Sequence, residues 1–396
     1  MNIAYIAMQF PAPSETFTAN DVLMLNKLEQ NVTVFSMKSN HVQLEQLVED
    51  RLLENIPIHH GGFKNICLGL LEILKRPFLF FILIFWILKN EITKPRHLVR
   101  CIALIPISFF ILKKLTKLRP EIVHLFWGHY PSIVGFLIKR KLPEVKLSVF
   151  LGAYDLNYKL GISRDILKQA DTLFTHVSVN VPFIQKLGSP TIPINVVYRG
   201  TNLDKNLSYI NNKTKNEYLW ISVGRLLPVK RFNKVFEVFQ KAKSRNKNLS
   251  LEIIGEGLEE SNLKKISSKL GLNKSILFKG HLKHSLVIKK MASADVCILL
   301  SSTERLPNVI KEAMLSGCIC VVSVTPGIEE LVEHGKTGFI FRDNDFDKIP
   351  DILSALSISE KERIRENARK FIIENFSVEV SMKKYIKIWE GSLLNV

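Results

Sequence analysis

The chain has 396 residues, of which 46% are hydrophobic and 23% charged, and its formal net charge is +18. Because a single hydrophobic core stops growing at roughly 250 to 300 residues, this length predicts two domains, and the apolar content excludes a disordered chain. The excess charge is regional, since residues 64–146 hold fifteen Lys and Arg against four Glu and so carry eleven of the eighteen excess charges. A region of this kind predicts an anionic partner, which could be nucleic acid, an anionic membrane surface or an anionic substrate, and a solvated basic face is the alternative.

Short apolar segments alternate with helical stretches along the first half of the chain, a pattern typical of a parallel sheet covered by helices. The first segment opens the chain without a basic stretch before it, so it predicts a buried strand rather than a signal peptide, and we expect the active part in the cytosol. Strands are predicted at 2–7, 32–36, 122–126, 147–151, 172–177 and 195–198.

Two long apolar runs, 78–88 and 98–112, fall inside the basic region and are flanked by Lys and Arg. Both are shorter than the roughly 18 residues of a membrane-spanning helix. We interpret them as an interfacial anchor on an anionic membrane surface, and two buried core helices are the alternative. Long aliphatic runs are not typical of a nucleic-acid surface, so we do not expect nucleic acid as a partner.

The polar segment 204–217 is rich in Asn and Lys and predicts a linker between a first domain, 1–203, and a second domain, 218–377. Residues 378–396 predict a C-terminal helix that returns to the first domain. Both domains are predicted to be doubly wound α/β units, which bind ligands at the carboxyl ends of their strands. Strands of the second domain are predicted at 218–223, 250–254, 276–278, 296–300, 319–322 and 338–341.

Candidate ligand-binding residues follow the first two strands of the second domain. Arg225 and Lys230 come directly after the strand 218–223, where two cations beside a helix N-terminus would hold a diphosphate. Gly255 and Gly257 follow the next strand, and glycines in such a place allow the backbone to approach a ligand closely.

The most informative segment follows the strand 296–300 and reads SSTERLPNVIKEAMLSG. It opens a helix whose first amides, those of Asn308 and Val309, would be available to phosphate oxygens. Glu304 lies in the preceding loop and Glu312 lies in the helix, so the two acids could hold opposite ends of one ligand. Glu312 would suit the two hydroxyls of a ribose.

Together these motifs resemble the retaining nucleotide-sugar glycosyltransferases of the GT-B fold, family four, and in particular the capsule and exopolysaccharide branch. The resemblance covers nearly the whole chain and implies two Rossmann-like domains facing a cleft. It implies that Arg225 and Lys230 bind the donor pyrophosphate, that Glu304 contacts the transferred sugar and that Glu312 binds the ribose.

The first domain is similar to that branch in three segments. The PAPSETF loop at 11–17 looks like the branch's first loop, His129 in FWGHYP matches the active-site histidine, and FLGAYDL matches the HGxD segment with Leu151 in place of its usual His. Arg305 is a further difference, because the family commonly has Gly there; it would either narrow the sugar pocket or pair with an acidic donor. The acceptor-side candidates are Ser14, Glu15, Thr16 and Asp155.

The resemblance implies a metal-independent enzyme that needs no cofactor, because two cations and a helix N-terminus can neutralise a leaving diphosphate. The DxD triplet Asp343-Asn344-Asp345 lies away from the phosphate-binding candidates, so no metal site is predicted. The five cysteines include no CxxC pair, and we interpret them as reduced core thiols.

The expected function is retaining transfer of a sugar from a nucleotide-diphosphate donor to a lipid-linked saccharide, in bacterial surface polysaccharide synthesis at the inner face of the cell membrane. Two alternatives remain open. One is a nucleotide-sugar epimerase of the same fold, and the other is a non-catalytic protein that binds a membrane surface or nucleic acid.

Overall fold

The computed structural model describes residues 1–12, 15–39, 44–202 and 215–394. The chain forms two compact units, the first made of Met1–Arg199 with Val378–Val396 and the second of Gly200–Ser377. Most of the predicted linker lies outside the described residues, but its last two residues, Asn216 and Glu217, belong to a strand of the second unit. The linker prediction was therefore too long at its C-terminal end.

The sheet of the first unit has seven parallel strands in the order β3-β2-β1-β4-β5-β6-β7. Helices cover both faces, which is why the central strands are apolar on both sides rather than alternating. Strand β3 was not predicted, because it has only three residues and all are half-buried. The strands are β1 (Asn2–Ala7), β2 (Asn31–Ser36), β3 (Ile58–His60), β4 (Ile122–Phe126), β5 (Lys146–Phe150), β6 (Thr172–Thr175) and β7 (Ile194–Val196).

Ten helices of the described residues precede the second unit. Three successive helices, α4 to α6, carry a proline in the first turn. An amide in the first turn has no acceptor within the helix, so its absence in proline costs no hydrogen bond. These prolines divide the apolar region into short helices. They are α1 (Thr16–Lys27), α2 (Leu44–Asp50), α3 (Phe63–Lys75), α4 (Pro77–Glu91), α5 (Pro95–Ala103), α6 (Ile105–Leu118), α7 (Ser132–Lys141), α8 (Ala153–Tyr158), α9 (Gly161–Ile166) and α10 (Val181–Gly188).

The two apolar runs differ in their burial. Helix α6, which holds most of the run 98–112, packs against α3 and α7, and its aromatic residues Phe109 and Phe110 are buried. Residues 105–112 of this run are therefore core residues, as in the alternative interpretation, whereas Val99 and Ile102 at its start are exposed. Throughout the described ranges, no helix combines the length and apolarity that a membrane span requires.

Helix α4, which holds the other run, has one buried and one exposed apolar face. Leu83 and Trp86 are buried, and the Trp86 indole donates to Asp165 Oδ2 at 2.6 Å. Phe81 and Phe85 point to the opposite side and are 66% and 68% exposed. The helix thus contributes to the core and also presents aromatic side chains to solvent.

The sheet of the second unit has six parallel strands in the order β10-β9-β8-β11-β12-β13, the order of a doubly wound domain. The strand order reverses between β8 and β11, so ligands are expected at the carboxyl ends of these two strands. The strands are β8 (Asn216–Val223), β9 (Ser250–Ile254), β10 (Ile276–Phe278), β11 (Ala294–Leu299), β12 (Ile319–Ser323) and β13 (Phe339–Phe341). The helices are α11 (Phe232–Arg245), α12 (Glu260–Lys269), α13 (His284–Ser293), α14 (Asn308–Leu315), α15 (Ile349–Ala355) and α16 (Ile358–Phe376).

The last helix, α17 (Val378–Leu394), packs against the sheet of the first unit. The Trp389 indole donates to Ser148 Oγ at 2.9 Å, and the Tyr385 ring stacks on Phe174 with 4.1 Å between centroids. The chain therefore leaves the first unit, forms the second and returns. All five cysteines are free thiols, as predicted, and four of them are buried.

Candidate functional site

Two predicted site residues of the second unit meet as an ion pair. Lys230 lies in the 3₁₀ turn after β8, Glu304 lies in the loop after β11, and the Lys230 Nζ contacts Glu304 Oε1. Their side chains are only 17% and 21% exposed, so this pair is shielded from solvent more than a surface ion pair. The structure thus brings together Lys230, predicted to bind the pyrophosphate, and Glu304, predicted to contact the sugar, at the point between β8 and β11 where the strand order reverses.

Gly255 and Gly257 are explained by a neighbouring loop. A Cβ on Gly255 would lie 2.0 Å from the Gly224 carbonyl oxygen, and one on Gly257 would lie 2.3 Å from that of Leu226. Gly255 also has a φ of +135°, which a side chain would oppose. The close approach that we expected toward a ligand is made toward the loop carrying Arg225, so these glycines position that loop.

The remaining phosphate-binding candidates surround the same loop. Arg225 is exposed, and its side chain has no hydrogen bond or ion pair within the described part of the chain. Asn308 and Val309 are the first two residues of α14, so their amides have no acceptor in that helix. A guanidinium and two amides are therefore available at the carboxyl ends of β8 and β11, beside the ammonium of Lys230, which is paired with Glu304.

Glu312 has a partner that the sequence did not suggest. Its Oε1 lies 3.0 Å from Nε2 of His284, the first residue of the neighbouring helix α13, and the carboxylate is mostly buried. The sequence separation of 28 residues gives no motif from which this contact could be predicted. Because the imidazole holds the carboxylate in place, we infer that His284 orients Glu312.

Arg231 was also missed, and it connects three loops of this edge. Its guanidinium donates to the carbonyls of Leu300 and Ser301 and to both carboxylate oxygens of Asp343. Asp345, the other acid of the DxD triplet, pairs with Lys348 at 2.7 Å. Both acids of the triplet therefore make structural ion pairs, and among the described residues no group of three metal-ligating side chains is found.

Arg305, next to Glu304, is half-buried, and burial lowers the pKa of its guanidinium from the ordinary value. The choice between a narrowed sugar pocket and an acidic donor stays a prediction.

In the first unit, His129 lies in the loop after β4, and its hydrogen bonds define which ring nitrogen carries the proton. The backbone amide of Tyr130 donates to His129 Nδ1 at 2.8 Å, so this nitrogen is an acceptor. Burial lowers the pKa of His129 from 6.5 to about 4, so the ring is neutral at physiological pH and carries its proton on Nε2. His129 is therefore a hydrogen-bond donor and not a base in this arrangement.

The loops around His129 are fixed by Asp155. Its Oδ2 accepts from the Gly152 amide at 3.0 Å, it is fully buried, and burial raises the pKa of its carboxyl to about 7. Gly152 in turn leaves room for Trp127, whose ring atoms would lie 2.4 Å from a Cβ there. The prediction of Asp155 on the acceptor side is corrected, because a fully buried side chain positions this loop and cannot contact an acceptor. Leu151 is also buried and faces the core.

The first loop is described only in part. Ser14 lies outside the described residues, and Thr16, the first residue of α1, is exposed. Glu15 Oε1 accepts from the Trp127 indole at 3.3 Å, and burial raises the pKa of its carboxyl. This contact joins the first loop to the loop that carries His129.

Arg199 lies beneath this loop and was not singled out from the sequence. Its guanidinium lies 3.7 Å from the ring centroid of Phe17 and 5.0 Å from that of Phe150, a cation–π arrangement. Asp21 is buried nearby, and burial raises the pKa of its carboxyl to about 7 although the charge of Arg199 lowers it. Arg199 thus contacts residues that adjoin the first loop and the FLGAYDL segment, and it stabilises both.

Comparison with known proteins agrees with this architecture. A family model described as glycosyl transferases group 1 matches residues 204–371. An uncharacterized glycosyltransferase of Haemophilus influenzae is 31% identical over 289 residues, 72% of this chain and 74% of that protein. The amylovoran biosynthesis glycosyltransferase AmsK of Erwinia amylovora is 24% identical over 98% of this chain and 99% of its own length. The crystal structure of Anabaena HepE in complex with UDP has a TM-score of 0.72 at 16% identity, covering 99% of this chain and all of that one.

The fold and the relatives define a glycosyltransferase of the GT-B class. The chain belongs to the group 1 glycosyltransferases, a family four-like group that includes exopolysaccharide biosynthesis enzymes. The predicted family, fold class and enzyme class are confirmed. Because the chain belongs to this family, the glycosyltransferase hypothesis is favoured over the epimerase and over the non-catalytic binding protein.

Proposed function

We propose that this glycosyltransferase moves a sugar, with retention of configuration, from a nucleotide-diphosphate donor to a lipid-linked saccharide in bacterial surface polysaccharide synthesis. The observation that carries the proposal is the convergence of Lys230, Glu304 and the α14 N-terminus at the carboxyl ends of β8 and β11. The Anabaena structural neighbour was solved in complex with UDP, which supports a nucleotide donor.

The roles of the donor residues follow from their charges. Arg225, Lys230 and the amides of Asn308 and Val309 supply the positive potential that a departing nucleotide diphosphate needs, so no divalent cation is required. Glu312, held by His284, accepts hydrogen bonds from the ribose hydroxyls. Glu304 contacts the transferred sugar.

We propose a front-face reaction for the transfer step. The bond between the anomeric carbon and the diphosphate oxygen breaks on the same face at which the acceptor oxygen forms its new bond. The acceptor hydroxyl gives its proton to the leaving phosphate oxygen, so no protein base is needed. The neutral His129 donates from Nε2 to the sugar and orients it, in agreement with the protonation state derived above.

The acceptor side of the proposal rests on the surface of the first unit. Helices α3, α4 and α5 contact one another in sequence and expose apolar side chains beside the excess of Lys and Arg. Contiguous exposed apolar surface rimmed by cations is typical of a membrane-binding site. We call this surface the apolar face; its side chains are Phe63, Ile66, Leu70, Leu71, Leu74, Phe78, Phe81, Phe85, Leu88, Ile92, Val99 and Ile102. We propose that it docks reversibly on the anionic inner surface of the cell membrane.

Calorimetric titration with UDP tests the donor assignment. We expect Arg225→Ala and Glu312→Ala each to weaken UDP binding by about 1.5 to 3 kcal/mol, the usual loss for a hydrogen bond to a charged group. Exposed residues of α16 supply matched controls, Arg363→Ala and Glu366→Ala, which should bind like the wild type. Wild-type affinity in both site variants would contradict the donor site. A release assay with a panel of UDP-, GDP- and dTDP-sugars and membrane lipid extract then identifies donor and acceptor.

A further inference from the structure

A cavity of about 580 Å³ lies in the first unit, between α4, α9 and α10. This volume is within the range of ordinary small-ligand pockets. Its polar lining is cationic, since Lys89, Lys94, Lys159, Arg164 and Lys186 contribute to the wall. No acidic side chain is among the described residues that line it.

The charges of this cavity are not neutralised by the protein. None of the five cations makes an ion pair within the part of the chain that the structure describes. Lys94 Nζ is held by the carbonyls of Tyr158 and Lys159 at 2.8 and 2.6 Å, which fixes its position without removing its charge. Several like charges around one concave surface create a potential that favours a multiply charged anion.

The other walls of the cavity are apolar and continue into the apolar face. Leu156 and Leu187 line the cavity, and Ile92 and Phe183 do so while also being exposed to solvent. Ile92 belongs to the apolar face defined above and directly follows α4. A ligand with an anionic group in the cavity could therefore lay an apolar chain along this surface.

A series of aromatic contacts connects Tyr158, next to the cavity residue Lys159, with His129. Tyr158, the neighbour of Lys159, stacks on Tyr154 at 5.8 Å, and the Tyr154 ring lies 5.6 Å from Trp127. Trp127 in turn stacks with His129 at 6.3 Å. Both tyrosines are about half exposed, at 54% and 51%, so their ring faces are available to the apolar faces of sugar rings.

We propose that this cavity binds the diphosphate of the lipid-linked acceptor, with the lipid chain on the apolar face and the saccharide across Tyr158 and Tyr154 toward His129. The apolar face, the cationic cavity and the aromatic contacts to His129 match in kind the lipid, the diphosphate and the saccharide of such an acceptor. This inference rests on the proposed function for the identity of the acceptor, but it concerns a site in the first unit alone.

The test is calorimetric binding of farnesyl diphosphate, a short lipid diphosphate, at concentrations below micelle formation and with saturating UDP to occupy the donor site. We expect the triple variant Lys159→Gln, Arg164→Gln, Lys186→Gln to bind it at least tenfold more weakly than the wild type. The matched control removes three exposed lysines of the second unit, Lys265→Gln, Lys269→Gln and Lys274→Gln, and should bind within twofold of the wild type. Inorganic pyrophosphate should bind the wild type at least tenfold more weakly than farnesyl diphosphate, because it lacks the apolar chain.

Several results would overturn the proposal. If the triple variant and the wild type bind farnesyl diphosphate with equal affinity, the cavity is not the binding site. If the wild type binds inorganic pyrophosphate as tightly as farnesyl diphosphate, the cavity is a site for free anions. If the triple variant loses binding to phosphatidylglycerol vesicles and the wild type does not bind farnesyl diphosphate, the cations bind membrane headgroups instead. If the triple variant does not fold, Arg164→Gln and Lys186→Gln are measured singly. Failure of the UDP experiment above would affect the donor site and leave these binding results standing.

Discussion

The ion pair between Lys230 and Glu304 gives each residue two competing partners. The ammonium can bind the carboxylate or the donor diphosphate, and the carboxylate can bind the ammonium or the transferred sugar. Because both side chains are mostly buried, the pair is screened less than a surface ion pair. Donor binding therefore has to exchange one partner of Lys230 for another.

This competition predicts opposite effects on binding and turnover for Glu304→Gln. The substitution frees Lys230 for the diphosphate, so we expect UDP affinity to stay at the wild-type level or to increase. We expect kcat to fall by tenfold or more, since the contact with the transferred sugar is lost. Steady-state kinetics and UDP calorimetry check this, with Glu366→Gln as the control. A variant with normal kcat would show that Glu304 lies away from the reaction.

Asp155 predicts a pH dependence of stability with a definite sign. Burial raises the pKa of its carboxyl from 3.8 to about 7, so the folded state favours the neutral form. The stability that this group contributes is full below about pH 4 and is lost as the pH rises toward 7. Asn stays neutral and can accept from the Gly152 amide. As the pH rises through that window, the free energy of unfolding of Asp155→Asn should therefore increase relative to that of the wild type by about 1.4 kcal/mol per pH unit.

Urea unfolding at pH 5, 6 and 8 measures this difference, followed through the transition of the first unit. Asp50→Asn is the control, because that carboxylate is exposed on α2. A difference between Asp155→Asn and the wild type that does not change with pH would contradict the assigned ionisation.

At the scale of single elements, the strands were largely predictable and the faces of the apolar helices were not. The strands β1, β4, β9 and β10 have the predicted bounds, because short apolar segments between polar turns leave few alternatives. Helix α4 is apolar all around, so its sequence has no period that tells the buried Trp86 from the exposed Phe81.

The candidate site shows the same division. Residues that follow strands, such as Lys230 and Glu304, could be predicted because strand ends meet at one edge of a parallel sheet. Their direct ion pair, and the contact of His284 with Glu312, depend on the packing of loops and helices distant in sequence. The sequence offered no spacing from which these contacts could be derived.

Helix α4 provides a test of membrane docking that separates its two faces. Phe81→Ser with Phe85→Ser should lose sedimentation with phosphatidylglycerol vesicles at low salt and keep the melting temperature, since both rings are exposed. Trp86→Ser should instead destabilise the fold by several kcal/mol, because its ring is buried against Phe136 and hydrogen-bonded.

The matched control for docking replaces two exposed apolar residues of the second unit, Leu258→Ser and Ile358→Ser. This control should sediment with vesicles as the wild type does. The docking proposal fails if the Phe81 and Phe85 double variant also sediments like the wild type.

At the scale of the whole molecule, the last helix makes the stability of the first unit depend on the end of the chain. Trp389→Ala should lower the free energy of unfolding of the first unit by about 3 to 5 kcal/mol, because the ring is buried and donates to Ser148. UDP should still raise the melting temperature of the second unit by the wild-type amount. Differential scanning calorimetry with and without UDP resolves the two transitions.

Glu390→Ala, an exposed position on the same helix, is the control and should melt like the wild type. A shift of the UDP-dependent transition in Trp389→Ala would contradict the assignment of α17 to the first unit.

The return of α17 also sets an order of folding during synthesis on the ribosome. The second unit is complete in sequence once Ser377 has emerged, whereas the first unit, although begun earlier, still lacks the helix that covers Phe174 and Ser148. Domains generally fold as units, and here the one that starts second can finish first. Until the segment with Trp389 has left the ribosome, the nascent protein exposes an apolar side of its first sheet, and in this period a chaperone would be most useful to it.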